Sequence, residues 1–231
     1  MQYSLTLIDS VPAISTAYGK YLLIDTGSPS SFSETGEIEI AKVQYPVPTI
    51  LYGKVTAAYL QNAMHHSNIT GLVGMDIISK SFYEFDYTNL VLNIISLDNE
   101  FDSNGSEQID LSYAGGVPIL PLYLGSTSLV QKFILDTGAK LSYAIPEICG
   151  GLENVGTDFD FNPLMGESLQ VNKYSDFVYK IGSKFIQHDI HENARVTSAV
   201  RQFGSVGILG YHFMKDQKIV LNPISRQLII M

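Results

Sequence analysis

The chain has 231 residues, which is enough for one large domain or for two units of about 100 residues each. Its formal net charge at pH 7 is −9. Its 14 lysines and arginines form no basic run, so the composition argues against a nucleic-acid partner. The single cysteine, Cys149, excludes a disulfide within the chain and is expected to be buried as a small hydrophobic residue.

Residues 1–18 carry neither a basic start nor a continuous apolar stretch, so we expect no signal peptide. No apolar run approaches the roughly 20 residues that span a bilayer, and we expect no membrane partner. The default location is therefore cytoplasmic. It would be periplasmic or secreted if the chain is a mature segment trimmed from a longer precursor.

Apolar strands lead into the first of two Asp-Thr-Gly tripeptides. Residues 4–8 and 21–24 are predicted to form a hairpin, and Asp25-Thr26-Gly27-Ser28 follows directly. An apolar strand that ends in a carboxylate and a glycine turn places one acid at a strand tip. The hydrophobic-hydrophobic-glycine motif Gly71-Leu72-Val73-Gly74 comes later, followed by a predicted helical turn and a strand pair.

Between the two copies, residues 98–110 are acidic, contain Ser, Asn and Gly, and show little apolar periodicity, which predicts a solvated linker. It separates an N-terminal unit, residues 1–97, from a C-terminal unit, residues 111–231.

The same series of features recurs in the C-terminal unit. Predicted strands over 119–124 and 133–135 lead to Asp136-Thr137-Gly138-Ala139, and the motif Gly207-Ile208-Leu209-Gly210 follows. The acid and the end of its glycine motif are 49 positions apart in the first copy and 74 in the second, so the second carries an insertion within residues 149–203. Short strands rich in β-branched and aromatic residues predict an all-β protein.

Asp25 and Asp136 are the only acids in matching strand-to-turn contexts, and we expect them to form one site. Two carboxyl groups about 3 Å apart cannot both ionise, so they share a single proton. One can then act as general base toward a water molecule, while the other acts as general acid toward a scissile carbonyl. This pairing predicts hydrolysis of a peptide bond without a metal.

The residues after each acid are expected to support this chemistry: Thr26, Gly27 and Ser28 in the first copy, and Thr137, Gly138 and Ala139 in the second. The glycines permit turn conformations closed to other residues and let backbone N–H groups approach the carboxylates. The threonine hydroxyls can hydrogen-bond across the two loops. Ser28 can donate to ionised Asp25 whereas Ala139 cannot, so Asp25 is predicted to be the readier carboxylate.

Two tripeptides in apolar context, each followed by its own glycine motif, resemble the pepsin and retropepsin group of aspartic peptidases, with two retropepsin-sized halves in one chain. The resemblance implies a bilobal, all-β acid-protease fold with a substrate cleft between two pseudo-symmetric lobes. It implies mutual hydrogen bonds between Thr26 and Thr137, and structural roles for Gly74 and Gly210 beneath the loops. No cofactor is expected, and a monomer suffices because both acids lie on one chain.

The family closes its cleft with a β-hairpin flap. Tyr45 to Val55 is the candidate in the first half, because Tyr52-Gly53 resembles the Tyr-Gly of pepsin-like flaps; an ordinary strand and turn is the alternative. In the second half, Phe161 to Val171 lies at a flap-like distance, with Pro163 and Gly166 as turn residues.

Histidines invite a metal-site interpretation at His188 and His191 and at the adjacent pair His65-His66. No third ligand lies at a spacing typical of zinc sites, so we expect no metal.

The sequence therefore predicts an aspartic endopeptidase that hydrolyses extended polypeptide segments through a water activated by Asp25 and Asp136. The alternative is a catalytically inert module of peptidase fold that binds peptides or a protein partner. A peptidase restricted to processing a single partner is a third possibility.

Overall fold

The computed structural model describes residues 1–16, 18–99, 101, 105–125, 129–162 and 167–231. About half of the chain is strand and 13 % is helix, which confirms the prediction of a predominantly β protein. Among the described residues, no helix is both long enough and apolar enough to cross a membrane.

The elements of the first half are β1 (Gln2–Ile8), β2 (Val11–Ser15), β3 (Tyr21–Ile24), β4 (Phe32–Ser33), β5 (Glu37–Ile40), β6 (Val43–Pro46), α1 (Ala57–Ala63), β7 (Ile69–Val73), α2 (Met75–Ile78), β8 (Phe82–Asp86) and β9 (Val91–Ile95). Those that follow are β10 (Glu107–Asp110), β11 (Ser112–Ala114), β12 (Val117–Leu124), β13 (Val130–Leu135), β14 (Tyr143–Ala144), α3 (Pro146–Cys149), β15 (Asn154–Asn162), β16 (Glu167–Ile181), β17 (Lys184–Glu192), α4 (Ala194–Gln202), β18 (Gly207–Leu209), α5 (Tyr211–Met214), β19 (Lys218–Asn222) and β20 (Gln227–Ile230).

The two copies of the repeat have the same local topology. Strand β3 runs parallel to β7, which pairs Ile24 with Val73, and β13 runs parallel to β18, which pairs Leu135 with Leu209. A short strand lies antiparallel on the other side of each motif strand, β4 beside β7 and β14 beside β18. Each aspartate therefore leaves the sheet next to the glycine motif of its own copy.

One large sheet contains strands from both halves. Its strand order is β10-β20-β19-β8-β9-β1-β2-β3-β7-β4. Strand β19 pairs antiparallel with β8 and places Ile219 opposite Phe85, and both side chains are fully buried. Buried residues of both halves form a common hydrophobic core, which includes side chains of this sheet.

The structure differs from the predicted linker at residues 107–110, which form strand β10. This strand pairs with β20 and places Ile109 opposite Leu228, with both side chains buried. In a strand of four residues at the edge of a sheet, one apolar side chain can face the core. A single apolar residue among acidic and polar ones gives no visible alternation in the sequence, so the strand was not predicted. Residues 100 and 102–104 of the predicted linker lie outside the described residues.

A second sheet belongs to the second half and has the strand order β11-β12-β13-β18-β14-β17-β16-β15. The long strands β15 to β17 and helix α4 occupy the insertion expected within residues 149–203. The corresponding part of the first half contains the small β5–β6 hairpin and helix α1. The extra residues of the second half thus build a long hairpin, β15–β16, with no counterpart of similar length in the described first half.

Candidate active site

Asp25 and Asp136 lie together where their strands end. The N–H of Asp25 donates to the carbonyl of Val73 at 2.9 Å, and the N–H of Asp136 donates to the carbonyl of Leu209 at 3.0 Å. The two carboxyl groups are hydrogen-bonded to each other, and both residues are half-buried. The two acids predicted from sequence to share a site are therefore in direct contact and accessible from outside.

The two threonines join the loops through four reciprocal hydrogen bonds. The hydroxyl of Thr137 accepts from the N–H of Thr26 at 3.0 Å and donates to the carbonyl of Ile24 at 2.8 Å. The hydroxyl of Thr26 accepts from the N–H of Thr137 at 2.9 Å and donates to the carbonyl of Leu135 at 2.7 Å. Both threonines are fully buried, so this network fixes the loops relative to each other.

Backbone donors hold each carboxyl group in its own loop. Asp25 Oδ1 accepts from the N–H of Gly27 at 2.8 Å and of Ser28 at 3.0 Å. Asp136 Oδ1 accepts from the N–H of Gly138 at 2.8 Å. Asp25 thus has the richer set of backbone donors within its own loop, and such donors stabilise the ionised form of a carboxyl group.

The two acids differ in how strongly the site favours their neutral form. Burial raises the pKa of Asp25, while hydrogen bonds from Asp136 and from the N–H groups of Gly27 and Ser28 oppose that rise. Burial, the charge of Asp25 and the hydrogen bond to Asp25 raise the pKa of Asp136 well above its ordinary value. The pair therefore retains a proton beyond the usual carboxyl range, and the geometry favours Asp136 as the residue that carries it.

Gly27 and Gly138 are required by close approach. A Cβ on Gly27 would overlap the carboxyl group of Asp136, and a Cβ on Gly138 would overlap that of Asp25. Neither glycine has a positive φ, so the close approach of the opposite carboxyl group is the observed reason for glycine at both positions. Each glycine lets one loop lie directly against the acid of the other.

The Ser28 hydroxyl is not used as the sequence predicted. It donates to the carbonyl of Ser30 at 2.8 Å, and the residue's donor to Asp25 is its backbone N–H. The prediction that Asp25 is the readier carboxylate agrees with the pKa directions, but the physical reason is backbone hydrogen bonding. At the equivalent position in the second loop, the N–H of Ala139 donates to the backbone carbonyl of Asp136 at 3.3 Å.

Gly74 and Gly210 pack beneath the two loops. A Cβ on Gly74 would overlap the carbonyl groups of Ser28 and Ser30, and one on Gly210 would overlap those of Ala139 and Leu141. The residue that follows each motif also donates its backbone N–H to a loop carbonyl. Met75 donates to Ser28 at 2.8 Å, and Tyr211 donates to Ala139 at 2.9 Å. The glycine motifs therefore support the loops from below.

Two serines that sequence reasoning missed connect these glycines to the loops. Ser31 Oγ accepts from the N–H of Gly74 at 2.8 Å, and Ser142 Oγ accepts from the N–H of Gly210 at 3.1 Å. Both serines are fully buried. Each lies six positions after its aspartate, so the alignment of the two copies contained the signal that would have identified them.

Tyr52 and Gly53 form a tight turn beside the Asp25 loop. Both residues have positive φ, 52° and 73°, as in a type I′ turn, and Leu51 pairs with Val55 across it. The side chain of Tyr52 is hydrogen-bonded to Ser28, and burial together with the charge of Asp25 raises its pKa. A positive φ is uncommon for an aromatic residue, so the backbone conformation does not account for tyrosine at this position. The contact of its side chain with Ser28 does.

The predicted flap hairpin over Tyr45 to Val55 is wrong in its extent. Strand β6 ends at Pro46 and pairs with β5, while the Tyr52 turn is joined only by the bridge between Leu51 and Val55. The second candidate, Phe161 to Val171, lies at the end of the long β15–β16 hairpin. Its proposed turn residues Pro163 and Gly166 lie outside the described residues.

Two of the histidines considered as metal ligands, His188 and His191, are hydrogen-bonded to other residues of this chain. His188 contacts the hydroxyl of Tyr179 at 3.1 Å, and His191 contacts the carbonyl of Ser142 at 3.1 Å and the carboxylate of Asp158 at 3.2 Å. The described part of the chain contains no group of three or more potential ligands arranged to hold a metal ion.

No protein-family model matches this chain, and no curated protein is significantly similar to it. The geometry of the two loops is therefore the basis on which a function can be inferred.

Proposed function

We propose that this chain is a single-chain aspartic endopeptidase that uses Asp25 and Asp136 as its catalytic pair. The observation that carries the proposal is the contact between these carboxyl groups, held in place by the exchanged threonine hydrogen bonds. Two half-buried acids in contact share one proton, and this is the state that acid–base hydrolysis of a peptide requires.

The proposal includes the two-lobed architecture of pepsin-like and retropepsin-like enzymes. It is supported by the repeated arrangement in which β3 lies beside β7 and β13 beside β18, and by the meeting of the two acid loops at the junction of the halves. Because both acids belong to one chain, we propose that the active form is a monomer.

In the proposed reaction, ionised Asp25 removes a proton from a water molecule as the water oxygen bonds to the peptide carbonyl carbon. Protonated Asp136 donates its proton to the carbonyl oxygen at the same time. The proton held by Asp25 then passes to the amide nitrogen as the carbon–nitrogen bond breaks. Asp136 recovers a proton from a hydroxyl group of the intermediate, so the pair returns to its starting state.

The proposed substrates are extended polypeptide segments that lie across the two loops. An extended chain can hydrogen-bond to neighbouring strands through its backbone, while its side chains enter alternate pockets.

The test is to incubate the protein with a peptide library across pH 3–7. We expect cleavage by the wild type and a loss of at least about a hundredfold in Asp25→Asn and in Asp136→Asn, because each removes one acid–base role. Circular dichroism should show that both variants fold. Asp98→Asn, at an exposed position distant in sequence from both loops, is the matched control.

Full activity in either variant would contradict the catalytic pair. A wild type that binds peptides but cleaves none across this pH range would favour the inert binding module instead. A wild type that cleaves one protein partner and no library peptide would favour the restricted processing enzyme.

A further inference from the structure

Side-chain hydrogen bonds connect strand β15 to the rest of the second half beside the Asp136 loop. The hydroxyl of Tyr143 donates to Asp160 Oδ2 at 2.5 Å, and Asp160 Oδ1 accepts from the N–H of Phe161 at 2.8 Å. Tyr143 belongs to β14, which pairs with the motif strand β18. Burial raises the pKa of Asp160, and the positive charge of Lys140, four positions after Asp136, opposes that rise.

The next residue on the strand makes contact with the first half. The ring of Phe161 lies against the ring of Tyr59 on α1, with centroids 6.4 Å apart and planes tilted by 55°. Neighbouring residues of a strand point to opposite faces, so Asp160 and Phe161 contact different surroundings. One side chain binds the second half and the other packs on the first.

The Tyr59 contact leads to the Asp25 loop. Helix α1 follows the Tyr52 turn and is capped by Thr56, whose hydroxyl accepts from the N–H of Tyr59 at 3.2 Å. The Tyr52 side chain is hydrogen-bonded to Ser28 in the Asp25 loop. An ion pair of 2.7 Å between Lys140 and Asp9, in the β1–β2 turn, joins the halves next to the Asp136 loop.

We infer that Asp160 and Phe161 are positioning residues that hold β15 across the junction of the two halves, beside both acid loops, and so set how tightly an extended peptide is bound. This inference rests on the proposed peptidase function. The Asp160–Tyr143 hydrogen bond fixes the strand to the second half. The Phe161–Tyr59 contact closes the space between the halves and is the contact that peptide binding uses.

The first test is a double-mutant cycle of Phe161→Ala and Tyr59→Ala. Each single change should raise KM for a library peptide about three- to tenfold, the range expected for one aromatic pair, with kcat within about twofold of wild type. The double variant should be no worse than the singles, because they remove the same contact. Phe159→Ala is the matched control, since Phe159 lies on the same face of β15 and is 63 % exposed.

The Asp160 contact is tested by two replacements. Asp160→Ala removes the acceptor for Tyr143 and should raise KM as Phe161→Ala does. Asp160→Asn keeps an acceptor oxygen of similar shape and should restore KM to near the wild-type value. A KM that rises equally in both variants would contradict a positioning role through this hydrogen bond.

A second measurement does not depend on catalysis. Hydrogen exchange of the Gly27 and Gly138 amides, which donate to the two carboxyl groups, should be faster in Phe161→Ala than in wild type or Phe159→Ala. Unchanged exchange together with unchanged KM would overturn this inference and leave the peptidase intact. Faster exchange in a protein whose wild type cleaves no peptide would overturn the peptidase proposal and retain the positioning role of β15.

Discussion

Thr26 and Thr137 each use the hydroxyl for two hydrogen bonds, and both bonds reach the loop of the other acid. Each hydroxyl accepts from the N–H of the opposite threonine and donates to the carbonyl of the residue that precedes the opposite aspartate. All of these groups are buried, so loss of one hydroxyl leaves a donor and an acceptor without partners. Each such unpaired buried group costs about 1–3 kcal/mol.

We expect Thr137→Val, which preserves the shape of the side chain but removes its hydroxyl, to lower the free energy of unfolding by about 3 kcal/mol. It should also lower kcat, because the loops that carry the two acids are no longer fixed relative to each other. Thr137→Ser keeps the hydroxyl and should retain most of the stability and activity. Urea unfolding and steady-state kinetics provide the two measurements, and a Val variant that matches the Ser variant in both would contradict this role.

Ser31 and Ser142 allow a matched test of the two copies. Ser142→Ala leaves the N–H of buried Gly210 without its acceptor and should destabilise the protein by about 1–2 kcal/mol. Ser31→Ala should cost at least as much, because the Ser31 hydroxyl also donates to Asp76 at 2.5 Å. Thermal unfolding measures both effects, and Ser15→Ala, at an exposed position on β2, is the control. No change in either buried-serine variant would contradict the proposed supports.

The sequence was sufficient to identify both acids, both threonines and the four glycines because each occurs in a repeated, local pattern. Asp25 and Asp136 could be paired without coordinates, since the pattern around them is the same. The roles of individual atoms were harder to predict. The Ser28 hydroxyl turned away to Ser30 because the backbone N–H already reaches the carboxylate, and this choice depends on the conformation of the loop.

At the scale of elements, helix α5 and strand β17 pack three histidines together beneath the second half of the site. The ring of His212 stacks against those of His188 and His191, at centroid distances of 6.2 and 6.1 Å. Burial lowers the pKa of His188 to about 4, and the neighbouring His212 and His191 oppose its protonation, while the carbonyl and charge of Asp189 favour it. Burial also lowers the pKa of His212.

This cluster predicts loss of stability in acid. The pKa of His188 is lower in the folded chain than the ordinary value of 6.5, so the unfolded chain binds the proton first as the pH falls. The stability due to neutral His188 is present above about pH 6.5 and is lost progressively down to about pH 4, by up to about 3 kcal/mol. His188→Gln should remove this part of the pH dependence.

The measurement is urea unfolding of wild type and His188→Gln between pH 4 and pH 7. The difference between the two proteins isolates His188 from the titration of the acid pair. His65→Gln, at an exposed position just after α1, should follow the wild type. Parallel stability curves for wild type and His188→Gln would contradict the prediction.

Element lengths were the least predictable feature of this chain. The β15–β16 hairpin extends well beyond the predicted segment Phe161 to Val171, and Lys173 of β16 pairs with Asp158 of β15 and with Asp189 of β17. The region from Tyr45 to Val55 forms less strand than predicted, because β6 pairs with β5 and the chain then turns at Tyr52. Both outcomes depend on partners that are distant from the local pattern.

At the scale of the molecule, the two acids depend on both halves, and their shared proton should control the pH dependence of catalysis. The proposed cleavage requires one ionised and one protonated carboxyl group. Activity should fall in acid as Asp25 is protonated and should fall again at higher pH as Asp136 loses its proton.

Because the pKa of Asp136 is well above the ordinary carboxyl value, we expect the upper limb of the profile of kcat/KM to lie above the usual carboxyl range. The measurement is kcat/KM for a cleaved library peptide against pH. Addition of EDTA should leave the profile unchanged, and loss of activity with EDTA would instead favour a metal site. A profile with a single limb would contradict a pair that shares one proton.

Strand β8 has a partner that is made late during synthesis. More than 130 residues separate Asp86, the last residue of β8, from Lys218, the first residue of β19. At about 5–20 residues per second, the ribosome needs on the order of ten seconds after completing β8 to reach β19. During this interval one side of β8 remains an open template for other nascent strands. We expect the growing polypeptide to need shielding by a chaperone until β19 emerges, and ribosome-stalled intermediates that lack β19 should be digested readily by added trypsin.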